Sequence, residues 1–189
     1  MMNSRAAGKY SLYEQLLALP EAMIGEIIQG QLRTQPRPAW SHVLASSRLG
    51  ADLETTYGRG RGGPGGWWIV DEPEIHLVLD TEVTVPDIAG WHRERMPEPP
   101  LGHKIQVIPD WVCEVLSPTT RNIDREEKMP LYARYGVRFA WLVDPKARTL
   151  ESYERVADEW RSSGLFRDDD RVSVAPFDAV VICLSDLWG

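Results

Sequence analysis

The sequence is poor in several features that would place it quickly, and each shortage excludes something. Only two cysteines, Cys113 and Cys183, occur in 189 residues. Both sit inside apolar runs, which suits small buried thiols and argues against a disulfide framework or a zinc site. No apolar run approaches the roughly 18 residues of a membrane span, and the N-terminal MMNSRAAGKYSLYEQ lacks the apolar stretch of a secretion signal. The expectation is a cytoplasmic protein with no membrane part. Basic charge is also scarce: 21 Lys and Arg against 28 Asp and Glu leave a net charge of −7. A broad positive field for non-specific nucleic-acid binding is therefore missing. Local basic segments remain at Arg59 to Arg61, Arg93 to Arg95 and Arg121 to Arg125, each equally readable as a solvated loop. The glycine-rich Tyr57 to Gly66 follows no strand and precedes no Lys-Ser/Thr, so it is a connector and not a phosphate-binding loop. There is no internal repeat.

With 43% apolar residues in 189, the chain can build one substantial core. Residues 1–9 are small and polar and predict a flexible tail, leaving 10–189 as a single domain. Ser11 to Leu19 has the apolar spacing of a short helix ended by Pro20, and Glu26 to Ile28 with Gln29-Gly30 predicts a hairpin. Arg33 to Ala39 is Pro-rich and reads as irregular; Trp40 to Thr56 has helical spacing. From Trp67 the period becomes two, and Trp67 to Val70, Glu74 to Leu79 and Glu82 to Ile88 predict three consecutive strands of an antiparallel meander. Asp110 to Leu116 is a further strand. A helix over about Asp124 to Tyr135 follows, with Asp124 and Glu127 spaced as a capping box, Pro130 inside it and Gly136 ending it. The almost wholly apolar Phe139 to Val143 predicts a strand buried on both faces, linked to the preceding strand by that helix. Alternating segments over Leu150 to Arg155, Glu159 to Leu165 and Arg171 to Val174 suggest a second meander. The fold class expected is α/β in part and antiparallel in part, a mixed central sheet flanked by helices.

The strand Asp110 to Leu116 carries an acid, Glu114, between Val112, Cys113, Val115 and Leu116. A carboxylate in a buried strand costs several kcal/mol, on the order of a broken ion pair, unless it is paired, protonated or metal-bound. Asp87 follows Val83-Thr84-Val85-Pro86, at the C-terminal part of another predicted strand. If the two strands are neighbours, both carboxylates can reach one cation, and hard oxygen donors suit magnesium, with manganese as a substitute. Asp110 also follows a proline, but it lies four residues, about 13 Å, from Glu114 and cannot share an ion with it. Lys128, on the helix after the Glu114 strand, can aim its ammonium back at that strand; it can equally make a surface pair with Asp124. Glu26 reads either as a surface-facing edge acid or as a carboxylate turned into the site. His42 reads as a packing residue or as a base. Glu114 has its own structural alternative, satisfaction by Arg121, Arg125 or a backbone donor.

Pro86-Asp87 with Glu114-Val115-Leu116 resembles the PD-(D/E)XK signature of the restriction-endonuclease-like superfamily, although Leu116 stands where the lysine is usual. The run EVLSPTTRNIDREEKMPLYARYGVRFAWLVDP, Glu114 to Pro145, resembles the bacterial Uma two family of endonucleases, in which the lysine has moved to the following helix, here Lys128. The likeness extends to Glu26 to Gly30 and to the His42 helix. It implies a restriction-endonuclease-like core and a magnesium-dependent endonuclease that hydrolyses DNA phosphodiesters. Asp87 and Glu114 would be metal ligands and Lys128 an orienting or stabilising group, with Glu26 as a secondary candidate. Nucleases of this kind often act as homodimers. Two alternatives stand beside that reading: a catalytically inactive nuclease-fold binding or interaction protein, and a hydrolase of RNA or a small phosphodiester.

Overall fold

The structure is a computed structural model that describes residues 10–189; the tail expected over residues 1–9 lies outside the described residues. Helix α1 (Leu12–Leu17) starts at Ser11, whose hydroxyl and Glu14 form a reciprocal capping box. The expected hairpin follows as β1 (Met23–Ile28) and β2 (Gln31–Pro36). Both turn residues, Gln29 and Gly30, take positive φ, at 50° and 73°, the left-handed pair that a two-residue hairpin turn requires. β2 occupies most of the segment read as irregular. Its prolines fall at or beyond the strand end, on an edge strand, where a missing N–H costs no ladder bond. Helix α2 (Trp40–Leu53) runs on through a π-turn (Glu54–Gly58) into the glycine-rich connector.

The predicted meander is not what forms. β3 (Trp67–Asp71) pairs with β6 (Ile88–His92), while β4 (Ile75–Val78) and β5 (Glu82–Thr84) pair with each other and, through β5, with β1. The cause lies at Val85-Pro86-Asp87. Pro86 has no N–H to give a ladder, so the segment read as one strand breaks there into β5 in one sheet and β6 in another. Asp87 consequently stands at the entry of β6 and not at the end of β5.

Among the described residues the larger sheet has six strands in the order β10-β9-β8-β7-β6-β3, and a four-stranded sheet runs β2-β1-β5-β4. β7 (Trp111–Val115) and β8 (Phe139–Asp144) are parallel neighbours, and the other pairs of the large sheet are antiparallel. The crossover between them is α3 (Arg121–Ile123), a π-turn (Asp124–Lys128) and α4 (Met129–Tyr135). Pro130 is accommodated in the first turn of α4 directly after the π-turn, and Gly136 ends the helix at φ 94°. β9 (Thr149–Val156) and β10 (Glu159–Arg167) form a hairpin. β11 (Arg171–Val172) leaves that run to pair with β12 (Ile182–Cys183), before α5 (Ser185–Trp188). The sheet separates two cores. Trp111, Cys113, Val115, Trp141 and Phe177 pack with α2 on one side; Val112, Ala140 and Leu142 pack with Leu131 and Tyr132 of α4 on the other.

Candidate active site

Because side chains alternate across a strand, β7 turns Cys113 and Val115 toward α2 and Glu114 toward α4. Glu114 is 2% exposed. Its Oε1 lies 2.8 Å from Lys128 Nζ and accepts a 2.6 Å hydrogen bond from the Tyr132 hydroxyl. Lys128, buried in the π-turn, also reaches Glu26 Oε1 at 3.0 Å and Asp124 Oδ1 at 3.8 Å, and donates to the Val85 carbonyl at 3.4 Å. The lysine thus turns back to the Glu114 strand, and its contact with Asp124 is inside the protein, not a surface pair. Glu26 is buried as well: it accepts from Val85 N at 2.8 Å, so its surface-facing reading is overturned. Arg125 pairs with Glu151 and is not the partner of Glu114.

Asp87 joins this cluster through the sheet register. The β6–β7 ladder ends at Ile88 opposite Cys113, and the Asp87 carboxylate takes the next amide, accepting from Val115 N at 2.6 Å. Its other oxygen lies 3.2 Å from His42 Nε2 on α2. His42 is buried, and its Nδ1 has no partner among the described residues. Burial lowers the His42 pKa, but the Asp87 carboxylate, with Asp124 and Glu72 behind it, outweighs burial and holds the imidazole above its ordinary value, which favours the protonated ring beside Asp87. Asp110 is not brought to the site. It is buried beyond the opposite end of β7, accepting from His92 N and pairing with Arg95 at 2.6 Å.

A cleft of about 260 Å³ opens on this cluster. Asp87, Glu114 and Asp124 line it, with His42, Arg37 and residues of the Ser117-to-Thr120 turn on its walls. Lys128 and Glu26 do not line it; they are enclosed on the protein side of Glu114. Burial pushes the Glu114 carboxyl well above the usual carboxylate range, and Lys128 offsets this only in part. Burial likewise raises Asp124 to about 6. For Lys128 burial works in the other direction, yet Glu114 and Glu26 hold the ammonium well above its ordinary value. Acid therefore exceeds base in the cluster, and a hard cation in the cleft would relieve the excess. No three His, Cys, Asp or Glu side chains among the described residues converge as a ready-made metal cage. The donors fit a magnesium ion that takes one or two carboxylates and keeps several waters. The carboxylates retain lone pairs beyond the hydrogen bonds described.

A family model described as Uma2, "putative restriction endonuclease", matches residues 12–183. The chain belongs to the Uma2 family. Its fold is similar to the crystal structure of "a putative nuclease belonging to DUF820 from Anabaena variabilis ATCC 29413", with a TM-score of 0.74 and 23% identity over 95% of this chain and 98% of that one. At that identity the likeness establishes the shared nuclease-like fold. A search of the curated proteins finds no match. No helix among the described residues is long and apolar enough to cross a membrane.

In this Uma2 chain, sequence reasoning did not place Asp124 and Tyr132 in the cluster. The signal was present: Asp124, Lys128 and Tyr132 recur at four-residue steps, which puts them along one helix face. Reading Asp124 as a helix cap hid it, because the helix begins a turn earlier, at Arg121.

Proposed function

We propose that this Uma2 chain is a magnesium-dependent endonuclease acting on DNA, with Asp87 and Glu114 as metal ligands. The observation that carries the reading is that the β6–β7 register and the Val115 amide set Asp87 beside Glu114 on one cleft. When bound there, the cation would supply charge neutralisation at the phosphate and a water of lowered pKa. The chain's own residues orient and balance. The Val115 amide and His42 fix both oxygens of Asp87, and Tyr132 and Lys128 fix Glu114. Lys128 acts from behind the carboxylate as a positioning group, since it is enclosed and does not line the cleft. Glu26 in turn holds Lys128. The hydroxyls of Ser117, Thr119 and Thr120 and the guanidinium of Arg37 are the cleft groups available to phosphate oxygens.

The test is plasmid cleavage in magnesium by the parent, Asp87→Ala and Glu114→Ala. Cleavage by the parent with loss in both variants is expected, and equal cleavage by all three would refute the assignment. The enclosed lysine and the lack of a ready-made cage favour one second reading, a nuclease-fold binding protein without catalysis. That protein would bind DNA yet leave it intact in magnesium and in manganese.

A further inference from the structure

Seven of the eight tryptophans are buried or half-buried. Trp67, Trp91, Trp111 and Trp141 fill the cores, and the indoles of Trp68, Trp160 and Trp188 donate to the carbonyls of Met96, Met129 and Asp168. Trp40 is the exception, 77% exposed. A large indole left in water forgoes much burial energy, and tryptophan is on average a highly buried residue. Trp40 opens α2 immediately after Pro38 and Ala39, which line the cleft, and two residues before His42, which touches Asp87. Residues two apart leave a helix on opposite sides. His42 therefore faces the carboxylates while Trp40 leaves the other side of the helix, next in the chain to the Pro38-Ala39 wall of the cleft, and shares a face with the exposed Val43.

The charge of the cleft decides what that indole can recognise. Its lining holds one arginine, Arg37, against the acids Asp87, Glu114 and Asp124. Phosphate contacts and counterion release can supply little of the affinity here. Stacking of a base on an aromatic face is independent of charge and of sequence, but it needs a base whose face is free. We infer that Trp40 is a stacking platform for an unpaired base of the strand that enters the cleft, so that the site takes single-stranded or locally opened nucleic acid. The inference rests on the nuclease reading for the position of the strand's phosphate, and it adds the state of the strand. The stacked base belongs to a nucleotide next to or near the phosphate at the carboxylates.

The experiment measures binding of a short fluorescein-labelled DNA strand, and of the same strand in a blunt duplex, by anisotropy in magnesium-free buffer. The parent, Trp40→Ala and Trp40→Phe are compared. The parent should prefer the single strand, Trp40→Ala should weaken strand binding about ten-fold, and Trp40→Phe should restore most of it. Moving an abasic residue along the strand should weaken the parent at one position and Trp40→Ala at none. Equal strand binding by parent and Trp40→Ala, or an equal loss on the duplex, overturns the platform. So does parent self-association in sedimentation that Trp40→Ala abolishes, because the indole would then cover a second copy. Magnesium-dependent cleavage of the same single strand by the parent keeps the two readings apart. Cleavage without any effect of Trp40 removes the platform alone, and Trp40-dependent strand binding without cleavage removes the nuclease alone.

Discussion

Replacing Lys128 with methionine keeps the length and apolar stem of the side chain and removes one buried positive charge. Three carboxylates then lose their common partner: Glu114 at 2.8 Å, Glu26 at 3.0 Å and Asp124 at 3.8 Å. Removing one member of a buried ion pair costs about 3–5 kcal/mol, because the remaining charge is neither solvated nor compensated. For a chain of this size each kcal/mol moves the melting temperature by roughly 2–4 °C, so Lys128→Met should melt about 6–20 °C below the parent near neutral pH. The sign of the pH dependence follows from the acids. Without the ammonium the folded-state pKa values of Glu114 and Asp124, already raised, rise further above the unfolded values. Each then destabilises the variant above its unfolded pKa, and the deficit shrinks as pH falls through the raised folded values. Tryptophan fluorescence during thermal unfolding near pH 7.5 and pH 5.5 measures both effects. A variant that melts within about 2 °C of the parent, or whose deficit grows on acidification, refutes the buried counter-ion role of Lys128.

Other substitutions separate the cleft from its supports. His42→Ala frees one oxygen of Asp87 and should lower magnesium-dependent cleavage by about 10- to 100-fold with little change in melting temperature, the usual effect of losing a group that orients a metal ligand; steady-state rates check this. Glu26→Gln should lower stability and leave magnesium affinity within a few-fold, whereas Glu114→Gln should abolish binding, and calorimetric titration distinguishes them. Asp110→Ala strips the acceptor from His92 N and Arg95 and should cost about 1–3 kcal/mol in urea unfolding, while cleavage per folded molecule stays at the parent level.

Much of this site was legible from local pattern because its parts lie on consecutive elements. Glu114 stood out as an acid inside an apolar strand, Lys128 followed on the connecting helix, and the apolar Phe139-to-Val143 run predicted the parallel neighbour β8. Strand geometry also excluded Asp110, about 13 Å along the strand from Glu114. Partner choice between strands was not legible. Period two gives β3, β4 and β5 as strands without saying which pair, and Pro86 diverts the chain from one sheet to the other. Glu26 and His42 stayed ambiguous for a related reason. Each lies far along the chain from its partner, and only the packing of β1 and α2 against the β5–β6 break brings Glu26 to Lys128 and His42 to Asp87.

Asp87 and Glu114 are proposed to share one cation. A crystal of the parent soaked in manganese, with anomalous scattering recorded for the ion, addresses it directly. The prediction is one peak in the cleft about 2.0–2.2 Å from an oxygen of each carboxylate, the range for a small hard divalent ion, and no peak there for Asp87→Ala. A manganese-soaked crystal with no peak between these two residues, or with the ion held by other side chains, would contradict it.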